Sequence, residues 1–303
     1  MKQIVNIQNL NKSFGAVQAL KDISCTVGSG EIFGFIGPDG AGKTTLFRIL
    51  TSLMIQDSGT ASMEGFDVVK DYKAIRNRIG YMPGRFSLYQ DLTVEENLEF
   101  FAGIFKTTIE ENYSLVEDIY KQIEPFKKRR AGKLSGGMKQ KLALSCALIH
   151  KPTILILDEP TTGVDAVSRK EFWQMLKKLR KSGITILVST PYMDEAMMCD
   201  RVALIQKGEI LKIDTPEAIV NSFPDKILAV RSSNMYELIN LLRHHPQCKS
   251  AFLFGQYIHF ISHENKLTEK DLKIFLTEKG VENAEVTTTD AGIEDCFITL
   301  MRQ

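Results

Sequence analysis

A glycine-rich segment that follows a short apolar run places the strongest constraint on how this chain folds. The run is Ile32–Ile36, and the segment 37–45 matches the pattern G-x-x-x-x-G-K-[ST]. A buried strand that enters such a loop, with a helix leaving it, turns backbone N–H groups and a positive helix end toward an anion. We therefore expect a P-loop in an α/β fold that binds a nucleoside triphosphate, with a chance glycine-rich turn as the alternative.

The residues of this loop have distinct expected roles. Lys43 places a positive charge on the β- and γ-phosphates, Thr44 offers the hydroxyl that holds Mg²⁺ in such loops, and Thr45 is placed to reach the α-phosphate. The backbone cradle before them consists of Gly37, Pro38, Asp39, Gly40, Ala41 and Gly42. The expected ligands are therefore ATP and Mg²⁺.

A second apolar run, residues 153–157, ends in the acids Asp158 and Glu159. Its uninterrupted apolar character predicts a buried parallel strand, and ligands of open α/β sheets bind at the carboxyl ends of such strands. Asp158 is therefore a candidate for the Mg²⁺ shell, and Glu159 for the group that orients or deprotonates the attacking water. An isolated strand-end acid would be interpreted as merely solvated, but the P-loop upstream favours catalysis.

Between these elements lies the string Leu134-Ser135-Gly136-Gly137, followed by a helical pattern up to His150. Ser135, Gly136 and Gly137 form a bare helix N-terminus that suits a second anion site. Taken with segments 37–45 and 157–161, this string closely resembles the signature of ABC-type ATPases. The resemblance covers residues 1 to about 222.

The resemblance implies a P-loop NTPase fold of the ABC-ATPase type, with a helical subdomain at about residues 88–150. It also implies ATP hydrolysis by a head-to-tail dimer, in which each signature closes over the ATP of the other subunit. Phe14 matches the family's aromatic residue that stacks on adenine, and a core position is the alternative. Asp165 matches the loop that links the two sites across the dimer, although Ala166 replaces its usual proline.

Two positions depart from the family pattern. Gly84 stands where the family places a glutamine that contacts Mg²⁺ and the attacking water, and Pro191 stands where it places a histidine that contacts the γ-phosphate. Proline has neither a side-chain donor nor a backbone N–H. Loss of one transition-state donor typically slows a reaction about a hundred- to a thousand-fold. We therefore expect ATP to bind here and to be hydrolysed slowly.

This combination suggests an asymmetric pair, because the intact signature can still complete an efficient site on a different chain. The motif text is most similar to the first half of bacterial tandem-ATPase exporters. The resemblance thus implies an ATPase subunit that drives a separate permease, with a second ATPase subunit as partner. A non-hydrolysing ATP clamp, a symmetric homodimer and a soluble ABC ATPase outside transport remain as alternatives.

The pattern changes near the Pro224-Asp225 turn, which predicts a domain boundary after residue 222. Residues 226–303 show the order strand, helix, hairpin, helix, strand and final helix. That order resembles a ferredoxin-like split β-α-β fold. Since this α+β domain carries no catalytic constellation, we interpret it as a dimerisation or regulatory module, with ligand sensing as the alternative.

Charge and hydropathy bear on the partners. A formal net charge of +1 gives no basic field for nucleic acid. No apolar run approaches the roughly 18 residues that span a bilayer. We therefore expect a cytoplasmic subunit that is peripheral on the inner face of the cell membrane. The expected docking surface for a permease is residues 85–89, with a core role for its aromatic residues as the alternative.

Overall fold

The computed structural model describes residues 2–281 and 283–301. The chain divides into two compact units, one formed mainly by the residues up to 217 and the other by residues 218–299. In the first unit the strands are β1 (Gln3–Phe14), β2 (Val17–Gly28), β3 (Ile32–Ile36), β4 (Ser58–Met63), β5 (Phe66–Asp67), β6 (Ile79–Met82), β7 (Ile154–Asp158), β8 (Thr185–Thr190), β9 (Arg201–Gln206) and β10 (Glu209–Asp214).

These strands form two sheets. An antiparallel sheet has the order β2-β1-β4-β5, and a second sheet has the order β10-β9-β3-β8-β7-β6. In the second sheet all neighbouring strands are parallel apart from the antiparallel pair β9 and β10. Strands β3, β7 and β8 are buried along their whole length, as expected for a parallel sheet covered on both faces. Their carboxyl ends therefore meet at one edge, next to the P-loop.

The helices α1 to α7 accompany these sheets: α1 (Lys43–Leu50), α2 (Tyr72–Arg76), α3 (Val94–Ile104), α4 (Ile109–Tyr120), α5 (Gly136–Leu148), α6 (Ala166–Lys181) and α7 (Pro216–Asn221). Helix α3 begins at a capping box formed by Thr93 and Glu96. The Thr93 hydroxyl accepts a hydrogen bond from the Glu96 N–H at 3.2 Å, and the Glu96 carboxylate accepts one from the Thr93 N–H at 2.7 Å. The apolar stripe of α6 is buried, and consists of Phe172, Met175, Leu176 and Leu179.

The second unit contains β11 (Ile227–Arg231), α8 (Met235–Arg243), β12 (Cys248–Phe254), β13 (Tyr257–Ser262), α9 (Glu269–Glu278), β14 (Glu285–Thr289) and α10 (Ile293–Leu300). Its strands pair antiparallel in the order β12-β13-β11-β14. This is a split β-α-β arrangement, in which the first strand lies between the third and the fourth. Leu238, Phe260 and Leu272 are buried at the centre of a core that belongs to this unit alone.

The break between the units lies a few residues earlier than the turn signal in the sequence suggests. It falls after Glu217, within α7. The Cys296 thiol in α10 lies 3.6 Å from the carbonyl oxygen of Ile219 and donates a hydrogen bond to it, so the second half of α7 packs with the second unit. Strand β1 continues to Phe14. Among the described residues, no helix is long and apolar enough to cross a membrane.

Candidate nucleotide-binding site

The loop between β3 and α1 has the backbone geometry of an anion cradle. Gly40 and Gly42 have φ values of 79° and 103°, a left-handed region that favours glycine. A Cβ atom on Gly42 would collide with the carbonyl oxygen of Ala19, and one on Gly37 would collide with that of Ile205. Backbone conformation therefore favours glycine at positions 40 and 42, and close packing requires it at positions 37 and 42. The loop leads into the N-terminus of α1 at Lys43.

Lys43 is held at the centre of the loop. Its side chain is only 3% exposed, and its ammonium group donates hydrogen bonds to the carbonyl oxygens of Gly37 at 2.8 Å and Pro38 at 3.0 Å. The same ammonium lies 3.3 Å from a carboxylate oxygen of Glu159. The loop lysine and the acid after β7 are therefore brought together, as the sequence predicts for one phosphate site.

Asp158 and Thr44 form the second part of the site. The Thr44 hydroxyl donates a hydrogen bond to Asp158 Oδ1 at 3.2 Å, and the Ser189 hydroxyl donates one to the same oxygen at 2.6 Å. Asp158 is buried, with 2% of its surface exposed. A carboxylate and a hydroxyl at adjoining positions are hard oxygen ligands of the kind that Mg²⁺ takes, so the residues present fit this ion. Ser189 was not recognised as part of the site from the sequence.

Glu159 has an unusual backbone conformation. Its φ is 49°, which is uncommon for a residue with a side chain, and its N–H donates to both the carbonyl and the hydroxyl oxygen of Ser189 at 3.0 Å. Such conformations persist where surrounding contacts over-determine them, and they cluster at functional sites. The strained turn directs the Glu159 side chain toward Lys43 instead of into solvent.

A cavity of about 470 Å³ adjoins these groups. It is lined by Thr44, Arg48, Tyr81, Pro83, Gly84, Arg85, Asp158 and Glu159. Burial and the negative charge of Asp158 raise the pKa of Tyr81 to about 12, against the opposing charge of Arg48. The phenol therefore stays protonated at neutral pH and is available as a hydrogen-bond donor.

The two departures from the family pattern occupy structurally different places. Gly84 lines the cavity, and a Cβ atom built on it would lie 3.1 Å from the carbonyl oxygen of Asp158. Pro191 directly follows β8, beside the P-loop, because the carbonyl oxygen of Thr190 accepts a hydrogen bond from the Gly37 N–H at 3.2 Å. The proline therefore stands at the phosphate-facing edge of the sheet without a donor.

Glu195 joins three segments around this edge, and it was not recognised as a site residue from the sequence. Its carboxylate accepts hydrogen bonds from the hydroxyls of Thr190 at 2.6 Å and Thr161 at 3.0 Å, and its other oxygen lies 3.7 Å from Arg169 Nε. Glu195 is 3% exposed. A buried acid in a short 3₁₀ helix, Met193–Met198, thus ties the end of β8 to the turn after β7 and to α6.

The signature residues do not line the cavity around Thr44 and Asp158. Ser135 is the N-cap of α5, where its hydroxyl accepts a hydrogen bond from the Met138 N–H at 3.4 Å, and Gly136 and Gly137 open that helix. Asp165 is the N-cap of α6. Hydrogen bonds from the backbone N–H and the side chain of Ser168, with one from the Val167 N–H, lower the pKa of Asp165 below its ordinary value.

The remaining predicted residues lie around the loop. Asp39 is exposed, Thr45 is half-buried, and Ala41 is buried. Phe14 is 49% exposed at the end of β1, so the alternative that it is a core residue is wrong. The ammonium of Lys12 lies 5.7 Å from the centre of the Phe14 ring. An exposed aromatic face of this kind can stack on a nucleotide base.

The fold and the site together define a P-loop nucleotide-binding protein, and comparison with known proteins gives its family. Residues 20–162 match the family model described as ABC transporter. The chain is 37% identical over 304 residues to the probable multidrug ABC transporter ATP-binding protein YbhF of Escherichia coli K12, covering 98% of this chain and 52% of that protein. It therefore spans about half the length of that relative.

A second relative is covered over more of its own length. The Nod factor export ATP-binding protein I of Burkholderia lata is 38% identical over 221 residues, which is 72% of this chain and 73% of that protein. A solved structure, the dimeric post-hydrolysis state of the ATP-binding cassette MJ0796 bound to ADP and Pi, has a TM-score of 0.63 and 28% identity, covering 70% of this chain and 98% of that one. The chain belongs to the ABC transporter ATP-binding protein family.

Proposed function

We propose that this chain is the ATP-hydrolysing subunit of an ABC-type membrane exporter that drives a separate permease. The single observation that carries this proposal is the convergence of Lys43, Thr44, Asp158 and Glu159 from two separate segments on one sheet edge. The printed names of two relatives, a probable multidrug transporter protein and a Nod factor export protein, favour export.

Each of these side chains has a task in phosphoryl transfer. Lys43 binds the β- and γ-phosphates, and exchanges its carbonyl partners in the loop for phosphate oxygens. Mg²⁺ would be held by Thr44 and Asp158, where it neutralises charge on the phosphates. Glu159 orients the attacking water and accepts its proton. Phe14 stacks on adenine, and the backbone N–H groups of the loop hold the remaining phosphate oxygens.

The proposal includes a head-to-tail dimer. Ser135, Gly136 and Gly137 begin α5 outside the cavity around Thr44 and Asp158, although Gly136 lines a smaller cavity that Glu159 also borders. A helix N-terminus of this kind suits the γ-phosphate of ATP bound to another subunit. The dimeric form of the MJ0796 cassette supports this arrangement by analogy.

The chain's own site is proposed to be weak. Gly84 and Pro191 both adjoin the site and neither brings a side-chain donor. The intact signature would then complete a more efficient site on a second, different ATPase subunit. A non-hydrolysing clamp is the alternative, but the strained conformation of Glu159 supports a retained general base.

An apolar groove supports docking of a permease at the membrane. The groove, about 630 Å³, lies between the helical subdomain and the main sheet, and is lined in part by Leu88, Phe101, Ile104 and Phe105. Tyr89 is 52% exposed beside it and packs edge-on against Phe100, with ring centres 4.8 Å apart. Leu88 is buried and Phe86 half-buried, so within the predicted surface 85–89 the exposed aromatic side chain is Tyr89.

Two measurements test this function. The chain is tagged in its native cell, the membranes are solubilised gently, and co-purifying proteins are identified by mass spectrometry. A permease with a second, different ATPase would establish the asymmetric exporter, whereas a permease with this chain alone would contradict the asymmetry. Recovery of neither would favour a soluble ABC ATPase. Phosphate release is then compared between the purified chain and its Glu159→Gln variant, and equal rates would favour the clamp.

A further inference from the structure

The cavity next to the phosphate site contains two arginines that the family pattern does not explain. Arg48 extends from α1, and Arg85 follows Gly84 in the loop after β6. Both line the cavity together with Asp158 and Glu159. The two differ in their surroundings, because the positive charge of Arg48 lies close enough to the half-buried Tyr81 to oppose the rise of its pKa.

Arg85 is exposed and its guanidinium is uncommitted. Within residues 2–281 and 283–301, no ion pair, hydrogen bond or ring contact engages its side chain. The nearby Glu159 is instead paired with Lys43 at 3.3 Å. Arg85 is therefore a free positive charge at the edge of a cavity whose two carboxylates, Asp158 and Glu159, already have partners.

The neighbouring residues hold Arg85 in this position. Gly84 packs against the end of β7, where even a Cβ atom would come within 3.1 Å of the Asp158 carbonyl oxygen. On the other side, the ammonium of Lys139 lies 5.5 Å from the ring centre of Phe86. Both neighbours of Arg85 thus pack against other segments, and Arg85 lines the cavity beside Asp158 and Glu159.

We propose that Arg85 binds the γ-phosphate of ATP in this cavity, supplying the contact that Gly84 and Pro191 cannot make. The inference rests on the proposed function in that the bound ligand is ATP. A guanidinium presents a planar pair of N–H donors that matches two phosphate oxygens, and it remains charged at any physiological pH. The γ-phosphate is the only group that ATP has and ADP lacks, so a contact with it distinguishes the two nucleotides.

The chain would therefore distinguish ATP from ADP through Arg85 while hydrolysing ATP slowly. Recognition of the γ-phosphate and catalysis of its transfer need different groups, since a ground-state contact lowers the dissociation constant without accelerating the reaction. Such a site would let ATP binding drive dimer closure even when turnover occurs mainly at the partner's site.

The test compares nucleotide affinities of the full-length chain and its variants in the presence of Mg²⁺. The probes are ADP and an ATP analogue with a non-hydrolysable imide bridge between the β- and γ-phosphates. In Arg85→Ala we expect analogue affinity to fall about 10-fold, with ADP affinity unchanged. The affinity of Arg85→Lys for the analogue should lie between those of Arg85→Ala and the native chain. Lysine keeps the positive charge but lacks the planar pair of N–H donors. Arg129→Ala, an exposed arginine stacked on Phe126, is the matched control.

Each other outcome overturns the inference. One such outcome is that Arg85→Ala binds both nucleotides as the native chain does while less permease co-purifies with it. That result would show that Arg85 contributes to permease docking and not to nucleotide binding. An equal loss of affinity for both nucleotides would show a structural effect, which thermal unfolding of the variant would also reveal. If the native chain binds neither nucleotide, the proposed function fails together with this inference.

Discussion

The ammonium group of Lys43 lies 3.3 Å from the carboxylate of Glu159, so the lysine proposed to bind phosphate and the proposed general base are paired directly. Both groups are largely withdrawn from solvent, with exposed side-chain fractions of 3% and 23%. A phosphate that binds Lys43 therefore comes close to the negative charge of Glu159. Binding and proton abstraction are linked through this one contact.

Glu159→Gln should separate the two. Loss of the general base should slow phosphate release at least about 100-fold. ATP affinity should stay the same or increase, because a negative charge near the γ-phosphate is removed. Phosphate release and equilibrium nucleotide binding measure the two effects. Glu209→Gln, an exposed acid paired with Lys21 at 3.0 Å, serves as control and should change neither. If Glu159→Gln hydrolyses ATP as fast as the native chain, Glu159 is not the general base.

Pro191→His should accelerate hydrolysis. The substitution restores a side-chain donor beside the P-loop, where one such donor is typically worth about a hundred- to a thousand-fold in rate. We expect a smaller increase in phosphate release, of at least about 10-fold, because the backbone at position 191 is adapted to proline and does not place the new imidazole ideally. Pro246→His, at an exposed position in the second unit, is the control. An unchanged rate would show that Pro191 does not limit the site.

Gly84→Gln should not restore activity. Its Cβ atom would lie 3.1 Å from the Asp158 carbonyl oxygen, so the loop must shift before the amide can reach the site. Gly84→Ala adds the same Cβ without the amide, and we expect both variants to lose about 1 kcal/mol of stability. Thermal unfolding followed by the fluorescence of Trp173, the single tryptophan, measures this in the first unit. Faster phosphate release by Gly84→Gln than by Gly84→Ala would contradict the prediction.

Glu195→Gln should destabilise the first unit by about 1 to 3 kcal/mol. The carboxylate accepts hydrogen bonds from Thr190 and Thr161 and faces Arg169, and an amide can satisfy only part of this arrangement. Denaturant unfolding followed at Trp173 is the measurement. Asp194→Asn removes the exposed partner of the same Arg169 and should cost at most about 0.5 kcal/mol. Equal effects of the two substitutions would argue against a special role of Glu195.

His150 should make the first unit less stable below neutral pH. Burial lowers the pKa of His150, which stacks on Phe105 at 3.7 Å while its Nε2 lies 3.0 Å from the Ile79 carbonyl oxygen. Because the folded pKa lies below the unfolded one, the unfolded chain binds the proton first. Stability is therefore present above about pH 6.5 and decreases as the pH falls through that value.

The measurement is the unfolding midpoint of the first unit at pH 7.5 and 5.5, compared with His150→Gln. No other histidine occurs in residues 1–217, so the variant should flatten the dependence in this range. A native chain equally stable at both pH values would contradict the expected effect.

The residues of this site could be predicted from the sequence where they belong to local motifs, that is, to patterns of residues adjacent in the chain. The P-loop, the strand before it and the acids after β7 are local patterns, and the structure brings Lys43 and Glu159 together as expected. The strained turn at Glu159 and the Ser189 hydroxyl on Asp158 were not predictable, because both depend on contacts across strands.

Distant contacts explain the other omissions. Glu195 follows Thr190 closely in the sequence, but its bond to Thr161 and its approach to Arg169 arise only when β7, β8 and α6 pack together. The tight approach of Gly84 to Asp158 likewise joins β6 to β7. The sequence predicts a boundary after residue 222, whereas the first unit ends at Glu217. A turn signal marks where the chain bends, but the boundary depends on where the packing changes.

Each of the two units has its own hydrophobic core, one containing Phe33, Phe35 and Phe47 and the other containing Leu238 and Phe260. Cooperativity requires a shared core, so melting of this chain is not expected to be a single all-or-none event. A calorimetric trace should then resolve into two heat-absorption peaks, of which ATP shifts only the one that belongs to the P-loop unit. One melting temperature would therefore not describe this molecule.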